Sequence, residues 1–124
     1  MINRRQGFFY IKNNNKYVQL RFSQIIFGEA RGNFVLLKLV GKCKTCLTPI
    51  GMKELSKALP GDLFCRVHRS YVVAIEKIKE FNGEKMVLAD GTVLPVGRCY
   101  LGDLKERITI IGRKYVNDRW RIAV

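Results

Sequence analysis

The chain is short of the groups that enzymes use. Among its 124 residues there is one histidine, His68, and only ten carboxylates, scattered at turn or surface positions such as Asp90. No carboxylate or serine nucleophile stands near His68 in a recognisable local motif, and no glycine-rich phosphate loop is present. Acid–base, nucleophilic and nucleotide-dependent chemistry therefore lack their residues, and the chain is expected not to be an enzyme and to need no cofactor. Long apolar runs are missing too. The longest, "FVLLKLV", is interrupted by Lys38 and falls far short of the roughly 18 residues that cross a bilayer. The first residues, "MINRRQGFFYIKNNN", carry cations but no apolar core or small-residue cleavage site, so they do not read as a signal peptide. A cytoplasmic, reducing setting is expected, in which the four cysteines are free thiols. Repeats, low-complexity tracts and Gly/Ser linkers are also absent.

What the chain has in excess is positive charge. Lys and Arg number 23 against 10 Asp and Glu, a net charge of +13. Such an excess creates a positive potential over at least one face, and an anionic polymer is the expected partner. The distribution is uneven. Residues 1 to 60 hold eleven cations and two acids, whereas residues 81 to 111 hold four of each. The last segment, "GRKYVNDRWRIAV", alternates cations with Tyr115 and Trp120, and reads either as an extra edge strand or as a tail that orders on nucleic acid. At 124 residues one domain is the default, 1–124.

Alternation of apolar and polar residues predicts a mostly β fold. "FFYIKN" and "YVQLRF" flank the turn-rich "NNNK", "QIIFGEA" and "NFVLLKLV" flank "RG", and "KMVLA" and "TVLPV" flank "DG". Each reads as a hairpin, the last most strongly. Two segments break the pattern. Residues 51–59, "GMKELSKAL", place Met52, Leu55 and Leu59 on one helical stripe that stops at Pro60-Gly61, and residues 100–108 do the same with Leu101, Leu104 and Ile108. Both short helices are expected to lie as lids over sheet faces.

The stretch "FCRVHRSY" has two readings. Cys43, Cys46, Cys65 and His68 spell a Cys3His set with two-residue spacers. However, "CKTC" suits an extended strand, on which residues three apart point to opposite faces, and Lys42 and Lys44 oppose a dication. No metal is therefore expected. The other reading is a strand entering a basic, hydroxyl-bearing loop that grips an anion.

That second reading is carried by longer blocks. "FCRVHRSYVVAIEKIKEF" followed by "VLADGTVLPVGRCYLGDLKERI", with "QIIFGEARGNFVLLKL" and "TPIGMKELSKALPGDLF" upstream, resembles the LytTR DNA-binding domain of bacterial transcription regulators. The resemblance covers about residues 25–108, more loosely from Phe8, giving a core of about 8–111 and a basic extension over 112–124. It implies an elongated antiparallel β fold of hairpins with two short helices, and sequence-specific binding of double-stranded DNA through loops in the major groove. Direct-repeat promoter sites and a homodimer on DNA go with it, as does a response-regulator setting, without a small-molecule substrate.

Site residues follow by position. Arg98 is the first candidate for base contact, because a guanidinium fork matches guanine O6 and N7. Arg69 is the second, either on a base or clamping a phosphate beside Ser70. Arg31 and Asn33 are base-contact candidates in the first loop, where "GN" also suits any hairpin. Ser70, Lys42, Lys44 and Lys53 are phosphate candidates. His68 is expected to brace its loop by donating a ring N–H to a backbone carbonyl, with Tyr71, Val67 and Val73 nearby, and the cysteines to be small buried hydrophobes. Two departures stand out: Ala74 where the family commonly has Asn, and Gly97 where it commonly has Ser. Gly97 is expected to remove a phosphate-binding hydroxyl and loosen the strand end that holds Arg98. A non-specific basic β module that binds RNA, and a zinc-stabilised interaction domain, remain as alternatives.

Overall fold

The structure, a computed structural model, describes residues 7–112. Ten strands and two helices follow in order: β1 Phe8–Asn13, β2 Lys16–Arg21, β3 Ile25–Arg31, β4 Phe34–Leu39, β5 Thr45–Thr48, α1 Met52–Ala58, β6 Phe64–His68, β7 Tyr71–Ala74, β8 Ile78–Phe81, β9 Lys85–Leu88, β10 Val93–Pro95 and α2 Arg98–Arg107. The mostly β, antiparallel reading holds, and all three expected hairpins form. The extension expected from residue 112 lies, from residue 113 onward, outside the described residues.

A five-stranded sheet of order β5-β4-β3-β7-β6 is the centre, and both of its faces are buried. That is why β7 reads "YVVA" and does not alternate: Val72 and Ala74 enter one core and Val73 the other. One face carries the β1–β2 ribbon and α1, through Ile11, Leu20, Phe22, Met52, Leu55 and Leu59. The other carries the three-stranded sheet β10-β9-β8 and α2, through Met86, Leu88, Leu94 and Leu104. The two helices are thus lids on opposite faces.

Two register shifts set the phase of the apolar residues. Between Ile25 and Phe27 one extra residue enters β3, so Ile26 and Phe27 both join the second core while Ile25 faces the first. A second shift lies between Arg66 and His68, at the end of β6. Gly28 in β3 is closely packed, since a Cβ there would lie 3.1 Å from Val72 and 3.2 Å from Leu37 and Val35, and those side chains would have to give by a few tenths of an ångström. α1 matches its expected span, with Gly51 and Leu59 as extended flanking residues. α2 begins two residues before the expected Tyr100, because Arg98 and Cys99 belong to its first turn although neither adds to the apolar stripe that marked the helix in the sequence.

Candidate nucleic-acid interface

The topology sorts the candidate residues between two ends of the central sheet. At the first, the arginine end, the β3–β4 turn follows Arg31, which pairs with Phe34 across Gly32-Asn33. Gly32 has φ +60°, which a tight two-residue hairpin turn needs at its first position, and a Cβ there would meet nothing within 4 Å. This glycine serves the backbone path alone, and the turn tip is open. The β6–β7 turn, Arg69-Ser70, lies at the same end, since His68 pairs with Tyr71 and Tyr71 is bound to β3 opposite Glu29. With strands about 4.8 Å apart, the two turns sit about 10 Å from each other.

Backbone hydrogen bonds join these turns to one another and to α2. The Ala30 N–H donates to the Ser70 carbonyl at 2.9 Å, tying the first turn to the second. The Gly97 N–H donates to the Val67 carbonyl at 2.7 Å, fixing the start of α2, and with it Arg98, against the end of β6. Arg31, Asn33, Arg69 and Arg98 are all exposed there, and Ser70 is half-buried. Arg31 is held by Glu29, Nη2 to Oε1 at 3.3 Å. Lys53 stands in the first turn of α1, soon after β5 ends at Thr48 beside Val35, and so also at the arginine end.

His68 braces its turn, but with the opposite polarity to that expected. Its Nδ1 accepts the Ser70 backbone N–H at 3.1 Å. The reason is local: two residues on, the turn presents a free amide and not a carbonyl. Tyr71 lies against the imidazole, 5.5 Å between ring centres.

Gly97 does not loosen Arg98. It is the residue before the first turn of α2, with φ −78°, anchored by its N–H. A Cβ at this position would lie 2.8 Å from Cδ2 of Tyr100 and 3.5 Å from the His68 Cα. The space a serine would need is filled by the Tyr100 ring, so the substitution away from the common family residue goes with close packing of α2 on β6.

Two arginines that sequence reasoning missed hold α2 against β6, one near each end of that strand. Arg66 donates from Nη2 to the Arg69 carbonyl at 2.6 Å, and its guanidinium lies 5.6 Å from the centre of the Tyr100 ring, bridging the turn and α2. Arg107 donates to the carbonyls of Gly61 at 2.6 Å and Phe64 at 3.1 Å and pairs with Asp103 at 2.9 Å. α2 is therefore pinned at its start to the end of β6 and at its finish to the start of β6. The signal for Arg66 was its place between Cys65 and Val67, a cation set between two buried apolar residues of β6.

Lys42 and Lys44 lie elsewhere. They sit in the β4–β5 connection, past Leu39, at the opposite end of strands that run about 17 Å from Phe34 to Leu39. Their turn, the lysine end, is shaped by positive φ at Gly41 and Cys43, +117° and +57°, and the Lys44 stem covers Gly41.

The zinc spelling does not assemble. Cys46 is on β5 in the first core and Cys65 on β6 in the second, at opposite edges of the sheet and about 19 Å apart by strand spacing. Cys43 is exposed in the far turn, and no cluster of metal ligands occurs among the described residues. Burial pushes the Cys65 thiol up from 9.0 to about 11, with Arg107 lowering it and Asp103 raising it in smaller measure. The expectation that all cysteines are buried holds for Cys46 and Cys65; Cys43 and Cys99 are exposed because one sits in a surface turn and the other on the open side of α2. No helix among the described residues is long and apolar enough to cross a membrane.

Comparison with known proteins identifies the family to which this fold belongs. The LytTr DNA-binding domain family matches residues 15–109. The chain is 43% identical over 61 residues to the sensory transduction protein LytT of Bacillus subtilis, a stretch that is 45% of this chain and 25% of that protein. It is 30% identical over 92 residues to the CO-responsive transcriptional regulator RcoM of Rhodospirillum rubrum, covering 69% of this chain and 38% of that one. The chain thus matches well under half the length of these relatives. The fold superposes on a LytTr DNA-binding domain of a putative methyl-accepting/DNA response regulator from Bacillus cereus with a TM-score of 0.67 at 21% identity, covering 82% of this chain and 95% of that one. By sequence and by fold, the chain belongs to the LytTr DNA-binding domain family.

Proposed function

We propose that the chain is the sequence-specific double-stranded DNA reader of a bacterial transcription regulator working in the cytoplasm, with the arginine end facing the major groove. The observation that carries this reading is the pair of backbone bonds, Ala30 to Ser70 and Gly97 to Val67, that lock three cation-bearing segments into one row. A row whose first two turns are about 10 Å apart covers about three base pairs at a rise of about 3.4 Å. Held in fixed relation, the cations meet a duplex without first being ordered, and a rigid fork distinguishes bases where a mobile one only neutralises charge.

In this reading Arg98 contacts a guanine edge and Arg69 either a second base or a phosphate. Arg31 and Asn33 serve the first turn, with Arg31 leaving or sharing Glu29 as it binds. Ser70 and Lys53 touch backbone oxygens. A direct-repeat site would engage two copies side by side. The net charge of +13 by itself favours the rival, a non-specific binder, because charge alone attracts any nucleic acid.

Selection from random duplexes separates the two. The proposed reader returns an enriched motif, with two copies at fixed spacing if it pairs on DNA; a pool that stays unenriched rejects the proposal. With about five phosphates contacted, log affinity falls with log salt at a slope near −4.5 for any sequence, but only a specific reader keeps a tightly bound subset.

A further inference from the structure

The outer face of the β1–β2 ribbon takes no part in the interface above. Alternate residues of the ribbon, among them Phe9, Ile11, Val18 and Leu20, pack on the first core. The register places Phe8 opposite Arg21, Tyr10 opposite Gln19 and Lys12 opposite Tyr17 on the other side. A solvent-facing ribbon normally carries polar residues there. This one carries aromatics, with Tyr10 59% and Tyr17 72% exposed.

These rings are arranged. Gln19 Nε2 donates to the Tyr10 hydroxyl at 3.0 Å, holding the phenol against the neighbouring strand. Phe8 meets Tyr10 edge-on at 6.3 Å, and the Arg21 guanidinium stands 6.0 Å from the centre of the Phe8 ring. Tyr10 and Tyr17 are diagonal neighbours across the ribbon, a separation of about 7–8 Å between their Cα atoms. Charge adds a second argument: residues 7–24 hold Lys12, Lys16 and Arg21 and no acid at all. The matched family stretch starts at residue 15, so β1 and Tyr10 precede it.

We infer that this face is a second nucleic-acid surface, which binds an unpaired strand by stacking bases on Tyr10 and Tyr17 while Lys12 and Arg21 hold its phosphates. Exposed rings interleaved with cations fit such a strand, because every base has a π face and every linkage an anion. A duplex keeps its bases stacked inside and cannot use the rings. A neutral protein partner would leave the cations without counter-charge. The surface does not depend on the proposed reading of duplex DNA, and the two are separable by variant.

The test uses the full chain and a labelled 12-nucleotide oligothymidine, followed by fluorescence anisotropy at fixed salt. The wild type is expected to bind it, Tyr10→Ala and Tyr17→Ala each to weaken binding about tenfold, and Tyr→Phe at both sites to keep it, since the ring alone stacks. Binding of the selected duplex stays within twofold in all three, and Arg98→Ala leaves the single-strand affinity in place. Tyr17→Ser, at the most exposed ring, gives the same reading should the Tyr10 variant fold poorly. Three results would each overturn the inference: no binding of oligothymidine by the wild type, unchanged binding in the alanine variants, or loss in the phenylalanine variants equal to that in alanine, which would assign the hydroxyls to another kind of partner.

Discussion

The arginine end and the lysine end of the central sheet are both cationic turns between antiparallel strands, yet only one is a framework. At the arginine end, two bonds connect neighbouring segments, Ala30 to Ser70 and Gly97 to Val67, and two more, Ser70 to His68 and Arg66 to Arg69, brace the β6–β7 turn between them. At the lysine end, Lys44 accepts the Leu39 N–H and Val40 donates to Gln24, which shapes one turn without linking its lysines to another cation. Charge is therefore a poor guide to which cations act together. What distinguishes them is the backbone that fixes their spacing.

If that framework rests on α2, removing its anchor should have the largest effect. Leu104 is fully buried in the second core, and Leu104→Ala is expected to lower unfolding free energy by about 2–5 kcal/mol. Urea unfolding measures this, and duplex affinity should fall with it at temperatures where the protein stays folded. A loss below about 1 kcal/mol would mean that α2 is not what holds Arg98 in the row.

Next is the fork itself. Arg98→Ala should cost about 1–3 kcal/mol at particular base pairs of the selected site, read as relaxed preference in a repeated selection. Equal weakening across all sequences would move Arg98 to the phosphate backbone. The corresponding alanine at Lys44 should not change the motif.

A smaller effect tests the packing between Gly97 and Tyr100. Gly97→Ser puts a Cβ 2.8 Å from the Tyr100 ring and is expected to destabilise by about 1 kcal/mol. Combined with Tyr100→Ala the cost should be less than the sum, a coupling of about 0.5 kcal/mol or more in a double-mutant cycle. Strict additivity would show that the ring and the glycine are independent.

Much of this was legible in the residues, for identifiable reasons. The three hairpins show because period-2 alternation and turn residues coincide, and α1 shows because its stripe ends at Pro60-Gly61. The start of α2 did not, since Arg98 and Cys99 belong to no apolar stripe. The double burial of the central sheet was equally hidden: Ile25-Ile26-Phe27 serves two cores only because a register shift changes the phase, and that is set by pairing with β4. The clustering of Arg31, Arg69 and Arg98 came with the family resemblance and not from spacing, because 28 residues separate Arg69 from Arg98 and only the Gly97–Val67 bond shows how that distance closes. Lys42 and Lys44 are the converse case. Near in sequence to β4, they end up a strand length away from the β3–β4 turn.

The smallest effect concerns those two lysines. A contacted phosphate contributes about 0.9 to the salt slope of duplex binding, so each lysine on the backbone should flatten the slope by about that much when replaced. The strands put Lys42 and Lys44 about 17 Å from the arginine end. If the sheet stands upright on the duplex, that distance carries them clear of the phosphates, and Lys42→Ala with Lys44→Ala should leave the slope unchanged while Lys53→Ala flattens it. A slope flattened by nearly two in the double variant would instead mean that the strands lie along the duplex, with both ends of the sheet on the backbone. The measurement thus reports the orientation of the domain on DNA from two residues that need not touch a base.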